Sequence, residues 1–225
     1  TSKNWAIWLH EYLEDFPNMQ DSLRYALTVN APESKDNDFT WKDFQLRNNS
    51  ELVAIFGNFV NRTLVLTHKY YDGIVPTQVD EKSERYDILK EVYKYPESIS
   101  KSLDNFKFRE SVNSLIDLAR LGNKFLADTE PWKLIKIEGQ KRKVEEIMFI
   151  SIQICGMLAI LSEPFVPFAS EKLKSILNLK DKKWTELNIS SNIINSKELI
   201  NKPELIFRKI EDEEIERELN KLNNT

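Results

Sequence analysis

Glycine is the tightest constraint on this chain: among 225 residues there are only 5. Glycine supplies the positive-φ positions of tight hairpins and the bare backbone that lets a loop close around a phosphate. A chain so short of it cannot build many hairpins or a Rossmann or P-loop cradle, so helices become the default element. Composition says that the chain folds, since 41% of residues are hydrophobic and 30% charged, the balance of a globular protein. The length suits one large domain, or one domain with an appendage.

Several chemistries are disfavoured at once. The single cysteine, Cys155, excludes an internal disulfide or a multi-cysteine zinc knuckle. His10 and His68 are far apart, and the chain has no H-x-x-x-H pair, G-x-S-x-G elbow or Walker Gly-Lys pair. Carboxylate pairs such as Glu145-Glu146 and Glu213-Glu214 sit in polar contexts and read as solvated helix surface. A net charge of -4 and a pI near 5.5 argue against a generally basic nucleic-acid binder but allow a local basic site. The longest apolar run, Ile147 to Leu161, is interrupted by Ser151, Gln153 and Gly156. It falls short of the ~20 residues that cross a bilayer. It is predicted to be the buried central helix of a bundle, and a cytoplasmic protein without a membrane partner is expected.

Apolar spacing predicts the other elements. Asn4 is expected to cap a helix carrying Trp5, Trp8, Leu9 and Leu13 that ends before Pro17. A second helix starts near Asp21 and stops at Asn30-Ala31-Pro32. Asp38 to Trp41 reads as a short extended piece. A long helix runs from Trp41 to Tyr71, with Leu52, Phe56, Phe59, Val60, Thr63, Leu66, Thr67 and Tyr70 on its apolar face and Asp72-Gly73 as its stop. Further helices are expected over Asp80 to Tyr93, after Pro96, from Phe108 to Thr129, and after Pro167. From Leu179 the periodicity fades. Leu205 to Ile210 reads as a short strand or an extended packing segment, and Glu211 to Asn220 as an acidic helix or tail.

Three features invite a binding reading. Asn58 and Arg62 project a turn apart at the edge of the apolar face of the long helix. Their amide and guanidinium can bond a base edge or a phosphate, or else make an interhelical hydrogen bond. Trp132 comes directly after Glu130-Pro131, at a corner between helices, where an indole serves as a core plug or as a stacking platform for an unpaired base. The tract after it holds Lys133, Lys136, Lys141, Arg142 and Lys143 against one acid, Glu138. It is a solvated loop or an electrostatic approach for a nucleic-acid backbone.

Taken in order, these residues resemble the C-terminal half of methionyl-tRNA synthetases, class I aminoacyl-tRNA synthetases. Thr1 to Trp5 (TSKNW) is similar to the sequence just after the family's Lys-Met-Ser-Lys-Ser signature; in a Lys-Met-Ser-Thr-Ser variant, Thr1 and Ser2 are the last two residues of that signature. DSLRYAL (Asp21 to Leu27) and DNDFTWKDF (Asp36 to Phe44) precede GNFVNR (Gly57 to Arg62) on the long helix. EPWKL (Glu130 to Leu134) and SEPFVPFA (Ser162 to Ala169) complete the match, which spans roughly Thr1 to Leu177.

The resemblance implies a mainly α architecture: a small α/β stem-contact element over 1–44, an anticodon-binding α-helical bundle over 45–178, and a C-terminal extension over 179–225 that packs back on the body. It gives Trp132 the role of stacking on the unpaired first base of the CAU anticodon. It has Asn58 and Arg62 supply hydrogen bonds to anticodon bases; the charge of the basic tract, for its part, offers Lys133, Lys136 and Arg142 to the RNA backbone. The implied partner is tRNA-Met. Methionine, ATP with magnesium, and zinc belong to the full-length parent, whose His-Ile-Gly-His signature and zinc-bearing insertion this sequence lacks, so methionine-tRNA ligase activity is not expected of this stretch alone. Two other readings remain: the bundle of an isoleucyl, valyl, leucyl or cysteinyl enzyme, and a helical protein-interaction scaffold that binds no RNA.

Overall fold

The run that is apolar on all sides becomes the axis of the molecule. The computed structural model describes residues 7–33, 36–179, 182–187 and 191–223. In it, helix α9 spans Lys141–Leu161, and every residue from Ile147 to Leu161 is buried. Its buried polar groups are satisfied. Ser151 Oγ donates to the Ile147 carbonyl at 2.8 Å, and Gln153 Nε2 donates to the Ile194 carbonyl at 2.7 Å while Oε1 accepts from Ile193 N–H at 2.8 Å. Gly156 leaves room for that returning segment, since a Cβ there would come within 2.7 Å of Ile193 Cγ2.

The other helices surround this axis. In chain order they are α1 (Leu9–Asp15), α2 (Gln20–Val29), α3 (Trp41–Arg47), α4 (Asn58–Tyr71), α5 (Tyr86–Val92), α6 (Tyr95–Asp104), α7 (Phe108–Thr129), α8 (Pro131–Leu134), α10 (Pro167–Ile176) and α11 (Asp212–Asn223). Helices α4, α5, α7, α8 and α10 pack on α9. At Gly122 of α7 an added Cβ would meet the Phe59 ring of α4 at 2.5 Å, so that glycine is the notch that lets α4 and α7 close together.

The long helix expected from Trp41 to Tyr71 is continuous but not uniform. Its middle, Asn48–Gly57, is π-helical, and both joints keep right-handed helical angles. A π segment winds more widely and re-phases the residues after it. Leu64, four residues after Val60, is in the core, whereas Leu66 and Tyr70 are half-buried. Asp72 in the left-handed region (φ 53°) and Gly73 (φ 79°) end the rod.

A second, smaller core joins the two ends of the chain. Tyr12, Phe16, Met19, Trp41 and Phe44 enclose Ile210 and Ile215. Among the described residues no strand forms, and an isolated antiparallel bridge pairs Ile74 with Leu199. The described part of 1–44 is helix and connecting coil, so the α/β character expected there is not seen. Thr40 is extended, as read from the sequence, but it meets no partner strand. It caps α3 instead, its Oγ1 accepting from Asp43 N–H at 3.1 Å. The helix expected from Asp80 begins only at Tyr86. The side chains of Asp80 and Ser83 accept from Lys82 and Arg85 N–H, and such local bonds compete with helix. The expected cap at Asn4 lies outside the described residues.

Candidate nucleic-acid interface

The end of α7 makes the corner at which Trp132 stands. Glu130 adopts left-handed angles (φ 42°, ψ 57°) and its N–H closes on the Leu126 carbonyl at 3.0 Å. Pro131 then starts α8 with its fixed φ and no N–H to satisfy. The result turns the indole of Trp132 back over α4. The Arg62 guanidinium lies on it, with Cζ 4.8 Å from the ring centroid. Trp132 is half-buried and packs against the main core, so it is neither a sealed plug nor a bare platform. Arg62 is half-buried as well and forms no ion pair among the described residues.

Asn58, one turn before Arg62, is exposed and makes the interhelical bond: its Nδ2 donates to Asn123 Oδ1 of α7 at 3.2 Å. Asn123 in turn donates to the Ile55 and Ala119 carbonyls at 2.8 and 3.1 Å. Sequence reasoning missed Asn123. Its one sequence cue is the neighbouring Gly122, the notch that brings α7 against α4.

The basic tract divides. Lys133 is exposed and pairs with Glu130 at 2.7 Å. Lys136 is exposed and in no ion pair among the described residues. Arg142 is committed internally: it donates to the Gln78 carbonyl at 2.8 Å and lies 3.4 and 3.6 Å from Glu145 and Glu146. Glu146 is buried and also holds Arg85 at 3.5 Å. Thr1 and Ser2, read as the end of a signature loop, lie outside the described residues. His10 is exposed, and the His68 ring meets the Asn201 carbonyl at 2.9 Å. Cys155 is buried, and burial pushes its thiol up to about 12, which keeps it protonated and inert. No cluster of three metal-ligating side chains occurs among the described residues.

Chemically the corner offers a flat aromatic face, a planar donor fork lying on it, and an amide one turn away. Those groups suit an unpaired nucleobase, which needs stacking and in-plane hydrogen bonds together.

Comparisons with known proteins agree with this architecture. Residues 75–224 match the family described as the anticodon binding domain of methionyl tRNA ligase, and residues 1–64 match class I tRNA synthetases (M). Methionine–tRNA ligase of Flavobacterium psychrophilum is 53% identical over 231 residues, covering 100% of this chain and 33% of the relative. The enzyme of Christiangramia forsetii is 54% identical over 236 residues, with the same coverage of 100% and 33%. The chain thus spans about a third of the length of these curated relatives. Among solved structures, the apo form of Mycobacterium tuberculosis methionyl-tRNA synthetase superposes with a TM-score of 0.78 at 18% identity, over 85% of this chain and 39% of that one. The same enzyme in complex with methionyl-adenylate gives 0.77 at 19% identity, over 84% and 37%. These two likenesses concern the fold alone. The family match takes in the stretch after Leu179, where the sequence by itself is least legible, and with it the chain belongs to the methionyl-tRNA synthetase family and carries that family's anticodon-binding domain.

Proposed function

We propose that this chain recognises the CAU anticodon of tRNA-Met, with Trp132, Arg62 and Asn58 as the reading residues. The observation that carries the reading is the Arg62 guanidinium lying 4.8 Å over the half-buried Trp132 ring, one turn of α4 from Asn58. Without RNA the guanidinium covers the indole. The unpaired first anticodon base takes that face by stacking, and Arg62 turns its fork to a base edge. Stacking tolerates any base, so Arg62 and Asn58 carry the discrimination. Lys133 and Lys136 approach the backbone. Arg142 joins them only if it gives up its bonds to Gln78, Glu145 and Glu146.

In this reading 1–44 is the stem-contact element, 45–178 the anticodon-binding bundle and 179–225 the extension that returns to the body. Ligation of methionine to tRNA with ATP belongs to the whole enzyme, as do magnesium and zinc. The chain alone is expected to give no methionine-dependent pyrophosphate exchange.

The test is titration of the chain with an anticodon stem-loop bearing CAU and with one altered at the first base. A preference for CAU that Trp132→Ala weakens supports the reading. Equal binding of both loops, or binding of neither, refutes it.

A further inference from the structure

Asn58 and Asn123 meet across the α4–α7 contact, and the way they are tied decides which atoms remain for a ligand. Asn123 Nδ2 sits between two backbone carbonyls, Ile55 O at 2.8 Å and Ala119 O at 3.1 Å. A carbonyl can only accept, so the side-chain atom facing both must be the amide nitrogen. Asn123 Oδ1 is then forced to the opposite side, where Asn58 Nδ2 donates to it at 3.2 Å. One Nδ2 proton of Asn58 is thereby engaged on α7, so the amide cannot turn over: its acceptor Oδ1 keeps one fixed place, while the second Nδ2 proton stays free. Asn58 is exposed, and it makes no other side-chain bond among the described residues. An asparagine free to turn its amide offers a donor or an acceptor with equal ease. This one is held in a single sense.

We propose that Asn123 is a positioning residue of the anticodon site: by fixing the Asn58 amide with its oxygen available, it makes the site select a base that presents an exocyclic amino group, cytosine or adenine, over one that presents a carbonyl there. The inference rests on the anticodon reading above and adds a polarity to it. Asn123 acts through Asn58. The Ile55 carbonyl that orients Asn123 belongs to the π segment, which links the irregular winding before α4 to the polarity of the site.

The experiment compares three anticodon stem-loops, CAU, UAU and CGU. Cytosine to uracil and adenine to guanine each replace an exocyclic amino donor by a carbonyl acceptor. The chain should prefer CAU over at least one of the other two by about 5- to 150-fold. In Asn123→Ala that one preference should fall towards unity, while the other preference and the loss caused by Trp132→Ala persist. A folded Asn123→Ala that keeps both preferences overturns the inference and leaves the anticodon reading standing. Wild-type chain that binds all three loops alike overturns both. Because Asn123→Ala strips two carbonyls of a partner, a second measurement uses the wild type. In side-chain amide NMR of the free protein, the Asn123 NH2 protons should be protected from exchange and give a cross-peak to the Asn58 amide. Exchange as fast as that of a solvent-exposed asparagine shows that the amide is not locked and overturns the inference.

Discussion

The Arg62 guanidinium stacks on the Trp132 indole, 4.8 Å from Cζ to the ring centroid, so residues from two helices act as one unit. Trp132→Ala is expected to weaken binding of the CAU stem-loop by about 1 to 3 kcal/mol. Stability should fall by less than the ~3 to 5 kcal/mol of an emptied core aromatic site, because the ring is only half-buried. Arg62→Lys keeps the charge and loses the planar fork, so discrimination at the first anticodon base should erode. Calorimetric titration with CAU and first-base variants, beside thermal unfolding, checks both. Unfolding of Trp132→Ala, or full discrimination in Arg62→Lys, counts against the assignment at that residue.

The basic tract should split in function as it splits in structure. Lys136→Ala should weaken RNA binding about equally for all loop sequences and lower the salt slope by about one. Arg142→Ala should leave that slope unchanged and alter stability by about 1 kcal/mol, as a partly exposed ion pair does. Affinities measured over a series of salt concentrations separate the two, and a reduced slope in Arg142→Ala would return that residue to the RNA contact.

Those two residues also show how much was legible. The charges of Lys136 and Arg142 are plain in the sequence, but Arg142 is captured by Glu146, a partner four residues on, and by the distant Gln78 carbonyl. Helix α7 can be read closely from its 3.6-residue periodicity, because one face must be buried, and α9 from a run that is apolar on all sides. The π segment cannot, since all its residues suit an α-helix and only the packing reveals the altered winding. Trp132 is identifiable by its Pro131 corner. Asn123 is not, because its role depends on two carbonyls and an amide brought together from α4, α7 and the π segment.

Asp21 gives a pH signature. Burial raises its carboxyl above the usual carboxylate value, against the opposing N–H bonds of Ala169 and Phe168 and the nearby Arg24. One oxygen accepts from Ala169 N–H at 2.7 Å, in the first turn of α10, and the other lacks a partner. A carboxyl with a raised value in the folded state binds more protons there than in the unfolded chain. Its contribution therefore becomes less favourable as pH rises from the usual value through the raised one. Asp21→Asn keeps an acceptor for Ala169 and removes the titration. Denaturant unfolding at several pH values should show wild type losing stability relative to Asp21→Asn across that window. A constant difference would mean that Asp21 titrates normally.

An amide clamp holds the returning chain at Ile210. Asn49 donates to the Ile210 carbonyl at 2.8 Å and accepts from Ile210 N–H at 2.9 Å, which imitates one rung of a β-ladder with a side-chain amide. Gln45 adds a bond to the same carbonyl at 3.1 Å, and Asn48 one to the Arg208 carbonyl at 2.9 Å. These three amides stand on α3 and the start of the π segment, where the chain first enters the long rod. Ile210 and Ile215 then bury against Tyr12, Phe16, Trp41 and Phe44, while Leu205 stays 71% exposed. The anchor is therefore Ile206 and Phe207 on the main core, with Phe207 edge-on to Phe56 at 5.5 Å between centroids, together with Ile210 and the helix after it; Leu205 takes no part. Asn49→Ala leaves the Ile210 N–H without its partner and the Ile210 carbonyl with Gln45 alone, at about 1 to 3 kcal/mol, and should loosen α11 without opening the α9 core. Limited proteolysis should then cut Asn49→Ala between 201 and 211 faster than wild type, with cleavage elsewhere unchanged. Equal rates would mean that the apolar contacts of Ile210 and Ile215 hold the segment without the amide clamp, and Ile210→Ala should then reproduce the rapid cleavage.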